Sequence, residues 1–131
     1  MDRAAILQRL QARVPSLMGV YAFGSRVRGD AHPQSDLDLA VLTEGYADPV
    51  LLWRVSAELA ELAGCDVDLL DLRAASTVMV HQVLTQGERW WAGDVRAGLF
   101  EAAMLTEKLW LDEARQATIA DVQARGTVYG G

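Results

Sequence analysis

Phe23-Gly24-Ser25-Arg26-Val27-Arg28-Gly29, followed closely by Ser35-Asp36-Leu37-Asp38-Leu39-Ala40-Val41, is the stretch on which the reading of this chain turns. Met18 to Phe23 is a short apolar run ending at Gly24, the pattern of a buried strand that enters a tight turn. Glycine at that point lets backbone N–H groups approach a phosphate with no side chain in the way. The Ser25 hydroxyl can add a hydrogen bond to a phosphate oxygen. Ser35 to Leu42 alternates, with Leu37, Leu39 and Val41 pointing one way and Asp36, Asp38 and Ala40 the other. Two carboxylates spaced in this way leave the same face, about 6–7 Å apart at the backbone. They can converge on divalent ions about 3.5–4 Å from each other. Aspartate is disfavoured in strands, so this pair needs a reason, and ligation of a hard metal ion supplies one.

Outward from this segment, helices and strands alternate. Residues 2–14 predict a helix with Ile6, Leu7, Leu10 and Val14 on one face. Asp48 followed by Pro49 is a helix-start signal; the helix carries Leu52, Val55, Leu59 and Leu62 and stops at Gly64. Cys65 to Leu72 predicts a third strand. Ser76 caps a further helix with Val80, Val83 and Leu84, ended by Gly87. Glu88 to Trp91 predicts a short edge strand on which the adjacent Trp90 and Trp91 point to opposite faces. From Asp94 the pattern is helical almost to the C-terminus. The spacings are too irregular for a doubly wound sheet. The expected fold is α+β, a mixed sheet of about four strands flanked by helices, with a long C-terminal helix. No linker divides residues 1–131, which predicts a single domain.

Bulk properties narrow the function classes. The chain has 131 residues, 51% of them hydrophobic and 23% charged, the balance of a globular protein. No apolar stretch is long enough to cross a bilayer, and Met1 to Arg13 lacks the uninterrupted hydrophobic block of a signal peptide. A lone cysteine, Cys65, excludes an internal disulfide framework and fits a reducing, cytoplasmic setting. The net charge of -6 repels phosphate backbones and the basic residues do not cluster, so direct nucleic-acid binding is not expected. A basic partner protein, or a nucleotide delivered with divalent cations, suits this charge.

Taken singly, a Gly-Ser after a strand is usually a turn and an Asp-x-Asp usually a solvated strand edge. Rival motifs fail: a calcium loop needs glycine where Val41 stands, and neither a P-loop lysine nor a G-x-G-x-x-G run is present. Together, Gly24-Ser25, ten intervening residues and Asp36-Leu37-Asp38 resemble the signature of the nucleotidyltransferase superfamily related to DNA polymerase beta. Arg28-Gly29 matches the Arg-Gly often found inside that spacing. The resemblance implies that Gly24 and Ser25 hold the β- and γ-phosphates of a nucleoside triphosphate. It also implies that Asp36 and Asp38 ligate two Mg²⁺ ions, and that a nucleotidyl group passes to a hydroxyl.

That superfamily uses a third carboxylate on a neighbouring strand. Asp66 and Asp68 share a face here, while Asp71 points the other way. The family pattern, aspartate followed by two apolar residues, matches Asp68-Leu69-Leu70 and selects Asp68 as the third catalytic and metal-binding residue, with Asp66 the alternative. Residues 65–92, with Asp66-Val67-Asp68-Leu69-Leu70-Asp71-Leu72-Arg73, Ala75-Ser76-Thr77-Val78 and Leu84-Thr85-Gln86-Gly87, resemble the minimal nucleotidyltransferase antitoxins paired with HEPN-domain toxins. The implied function is transfer of AMP from ATP to a tyrosine hydroxyl of a cognate HEPN ribonuclease toxin, within a hetero-oligomer. Two other readings are a transferase acting on a small hydroxyl compound, as in antibiotic-modifying relatives, and a non-catalytic antitoxin acting by occlusion. Clustered carboxylates repel one another without metal, which argues against the last.

Other residues carry less. Arg26 and Arg28 sit beside the phosphate site and can neutralise triphosphate charge, Arg28 being the better candidate. His32 shares their loop but has no partner at ligand spacing, and His81 lies on a helix without a ligand at i+4. Residues 95–124 read either as one helix, about 45 Å long, or as a kinked pair. Too many apolar residues for one stripe make the region a candidate partner surface, with Trp110 as anchor.

Overall fold

In the computed structural model, residues 1–29 and 35–125 are described; His32 lies outside them. The elements run α1 (Arg3–Arg13), β1 (Leu17–Phe23), α2 (Ser25–Arg28), β2 (Leu37–Thr43), α3 (Pro49–Ala63), β3 (Val67–Asp71), α4 (Thr77–Gln86), β4 (Glu88–Ala92) and α5 (Val95–Arg125). The expected α+β architecture is present. Four strands form one mixed sheet in the order β3-β2-β1-β4, with β1 antiparallel to both β2 and β4, and β2 parallel to β3.

Local chemistry sets the boundaries. The Asp2, Asp48 and Ser76 side chains each accept a backbone N–H in the first turn of α1, α3 and α4. Gly64 ends α3 in the left-handed conformation, φ 73°. The third strand is shorter than expected, because Asp71 accepts the Arg73 N–H and turns Leu72–Ala74 into a 3-10 turn. Cys65, half-buried, lies before the strand.

Alternation on the central strands feeds two cores. Val20, Ala22, Leu37, Leu39 and Val41 meet Ile6, Leu10, Leu52, Val55 and Leu59 of α1 and α3 on one face. Tyr21, Ala40 and Leu42 meet Val80, Val83 and Ala97 of α4 and α5 on the other. Each fully buried leucine such as Leu39 contributes about 2 kcal/mol by removal from water. The tryptophans depart from expectation: Trp90 and Trp91 both pack against the α1/α3 cluster. The register shifts between Val20 and Tyr21, pairing Val20 with Trp91 but Tyr21 with Arg89, and a bulge of this kind breaks simple parity.

The C-terminal segment is one helix of 31 residues, so the kinked-pair alternative does not hold. Ala97 is buried and Phe100 and Met104 are half-buried against the second core. Leu99, Leu109 and Trp110 are exposed, at 61%, 60% and 66%. Among the described residues no helix is long and apolar enough to cross a membrane.

Candidate functional site

The site lies where β1 ends and β2 begins. Gly24 has φ 82° and ψ -161°, a combination that only glycine adopts readily. A Cβ at this position would collide with the Asp38 carboxylate, so the glycine makes room for the carboxylate as well as for the turn. The turn continues into α2, whose Val27 and Arg28 N–H groups donate to the Gly24 carbonyl at 3.2 and 3.1 Å. Gly29, φ 83°, closes it. Arg26 points elsewhere: its Nε donates to the Ser35 carbonyl at 3.0 Å, tying the turn to the segment that leads into β2. Arg28, exposed, is the arginine that faces the site.

The carboxylates gather along the same sheet end. Asp36 is exposed and directly precedes β2; Asp38 is half-buried within it. Parallel pairing places Asp68 directly beside Asp38, one strand spacing away, about 4.8 Å. Asp68 is exposed. Asp66 lies before β3, and its carbonyl accepts the Leu37 N–H at 2.9 Å. Asp71 is engaged elsewhere, its carboxylate accepting from the Ala47 and Arg73 N–H groups at 2.9 and 3.0 Å. Burial, then the charges of Asp68 and Asp36, hold the Asp38 carboxyl above its ordinary 3.8, while Arg28 offsets part of the effect. Among the described residues, no three His, Cys, Asp or Glu side chains are already drawn together closely enough to hold a metal ion.

A cleft of about 330 Å³ opens beside Asp38, lined by Phe23, Gly24, Ser25, Arg28, Met79, Gln82 and Gln86 as well. The sequence reading named the first part of this lining and missed the three residues from α4. Their spacing, i, i+3 and i+7, marks one helix face, which is the only signal that would have found them. His81 is half-buried on α4 and does not line the cleft.

Comparison with known proteins agrees with this geometry. Residues 6–94 match the family described as Polymerase beta, Nucleotidyltransferase. The chain is 40% identical over 119 residues to the protein adenylyltransferase MntA of Shewanella oneidensis, covering 91% of this chain and 86% of that one. A toxin–antitoxin crystal structure with AMP-PNP superposes with a TM-score of 0.79 at 37% identity, covering 94% of this chain and 99% of that chain. A tri-AMPylated Shewanella oneidensis HEPN toxin in complex with MNT antitoxin gives 0.72 at 36% identity, covering 92% and 95%.

Proposed function

The chain belongs to the polymerase beta-type nucleotidyltransferase family, and we propose that it is the antitoxin half of a toxin–antitoxin pair, transferring AMP from ATP to a tyrosine hydroxyl of a cognate HEPN toxin. The single observation that carries this reading is the row formed by Ser25, Asp38 and Asp68 at adjacent strand ends, with Gly24 shaped to admit the Asp38 carboxylate. Similarity to a protein adenylyltransferase and to an antitoxin bound to an AMPylated toxin supports the choice of acceptor. The setting is the reducing cytoplasm.

In this reading Gly24, Ser25 and Arg28 hold the triphosphate, Arg28 by charge and Ser25 by a hydrogen bond. Asp36, Asp38 and Asp68 suit Mg²⁺. They are hard oxygen donors, and the mutual repulsion felt at Asp38 is what a divalent cation relieves. A closed protein cage is not required, since Mg²⁺ is usually held by one or two carboxylates together with substrate phosphates. Bound there, the metal offsets charge on the phosphates and lowers the barrier to in-line displacement. Asp68, at the exposed side of the row, takes the tyrosine proton as the phenolic oxygen bonds to the α-phosphorus. The bond to the bridging oxygen breaks and pyrophosphate leaves past Ser25.

The exposed face of α5, with Leu99, Leu109 and Trp110, is the surface offered to the toxin. Co-expression with the cognate HEPN protein tests the proposal. Intact-mass measurement should show one or more AMP units added to the toxin, and chelation should abolish transfer. A toxin of unmodified mass despite full inhibition would favour occlusion instead.

A further inference from the structure

α4 contains no Asp, Glu, Lys or Arg. Its buried residues Val80 and Val83 fix it to the sheet, and Met79, Gln82 and Gln86 turn toward the cleft. The last turn is held closely: a Cβ on Gly87 would lie 2.5 Å from the Ala22 carbonyl oxygen, so the backbone approaches β1 as only glycine permits. This sets Gln86 beside the end of β1. Both glutamines are exposed, and among the described residues neither side chain has a hydrogen-bond or ion-pair partner.

The cleft therefore has two chemically different parts. Gly24, Ser25 and Arg28 suit phosphate oxygens, whereas Phe23, Met79 and the two neutral amides suit a flat, uncharged ring with polar edges. A nucleoside triphosphate has both parts in one molecule, and the continuity of the lining favours it over a separate acceptor ring. We propose that Gln82 and Gln86 read the base of the nucleotide donor and set its preference for adenine, with Met79 and Phe23 packing against the ring. This rests on the AMP-transfer reading above for the identity of the donor. A carboxamide presents a carbonyl acceptor and an N–H donor side by side, which complements the N6 amino group and N7 of adenine. Guanine offers two acceptors on the same edge, which one carboxamide meets only in part.

Equilibrium binding of ATP, GTP and inorganic tripolyphosphate to the full chain, each with Mg²⁺, tests the assignment. The wild-type chain should prefer ATP to GTP. Replacing both Gln82→Leu and Gln86→Leu should weaken ATP about tenfold, the scale of one or two lost hydrogen bonds, level ATP with GTP, and leave tripolyphosphate unchanged. Gln86→Glu, which keeps the shape and exposure, is the second variant if the double substitution disturbs folding; it should lose ATP preference in the same direction. An unchanged ATP to GTP ratio in a folded variant overturns the proposal. So does unchanged nucleotide affinity with a raised KM for the toxin, which would place the acceptor ring in this part of the cleft. Wild-type protein that transfers no AMP but binds ATP through the two glutamines would remove the transferase reading and leave this one standing.

Discussion

The two faces of the sheet are built differently. Toward α1 and α3 the core is the larger and is built mainly of aliphatic side chains, and over its seam Glu58 accepts from Arg9 and Arg13 at 2.8 and 3.1 Å. Toward α4 and α5 the core is smaller and is broken twice. At one end are the carboxylates around Asp38, and on β1 the buried Tyr21 hydroxyl meets Glu101. Strand β2 shows the contrast within itself: Leu37, Leu39 and Val41 are all buried on the first face, while the second passes from Asp38, with Asp36 just before the strand, to Ala40 and Leu42. The larger core lies on one face, and the candidate site lies on the other.

The largest expected effect breaks that contrast residue by residue along β2. Asp36→Asn with Asp38→Asn should lower AMP transfer at least about a thousandfold, yet leave thermal stability unchanged or raised, since the repulsion around Asp38 is relieved. Leu39→Ala should do the reverse. It should cost about 2–5 kcal/mol of stability while the fraction that remains folded stays active. Parallel measurements of melting and label transfer decide both, and undiminished transfer by the double asparagine variant would remove the site assignment. On the neighbouring strand, Asp68→Ala should reduce transfer about a hundredfold, whereas Asp66→Ala should leave it near normal. The opposite result would shift the third carboxylate by two residues.

Much of this asymmetry is legible in the sequence because it is local. Strand parity puts Leu39 and Asp38 on opposite faces, caps and glycines delimit α3 and α4, and a fixed spacing ties Gly24 to Asp38. What the sequence conceals is tertiary. The spacing of Gln82 and Gln86 marks one face of α4, but that this face lines the cleft depends on Gly87 letting α4 approach β1. The sequence favours Arg28 over Arg26 at the phosphate site, but that the Ser35 carbonyl claims Arg26 is visible only in the fold. Adjacent tryptophans obey parity only where the ladder is regular, and β4 is bulged.

The overhanging part of the second face sharpens the comparison further. Trp110 is exposed on α5 and supports no core contact, so Trp110→Ala should melt as the unaltered chain does. It should bind the toxin about tenfold more weakly, roughly 1.4 kcal/mol. Titration calorimetry and a melting curve read the two outcomes separately. An unfolded variant, or normal affinity, would remove α5 as the docking face.

The smallest effect concerns the polar contact that fastens α5 to β1. Tyr21 is buried at 1% exposure, and its hydroxyl donates to Glu101 Oε2 at 2.9 Å; Arg89 Nη1 donates to the same oxygen at 2.8 Å. Gly19 lies under the ring, where a Cβ would meet Tyr21 Cε2 at 3.2 Å. Tyr21→Phe keeps the ring and leaves Glu101 paired with Arg89, so the loss should be that of one hydrogen bond, about 1 kcal/mol. Alkali isolates the contribution. Burial, then the hydrogen bond to Glu101 and its charge, raise the phenol above its ordinary 10.0, with Arg89 opposing. The folded chain therefore keeps this proton where the unfolded chain has already lost it. The stabilisation is fully present below about pH 10 and declines as pH rises beyond that. Denaturant unfolding from pH 8 to 11 should show a steeper alkaline loss for the unaltered chain than for Tyr21→Phe. Equal slopes would mean that Tyr21 ionises as freely folded as unfolded, and that the polar fastening of α5 rests on the Arg89–Glu101 pair.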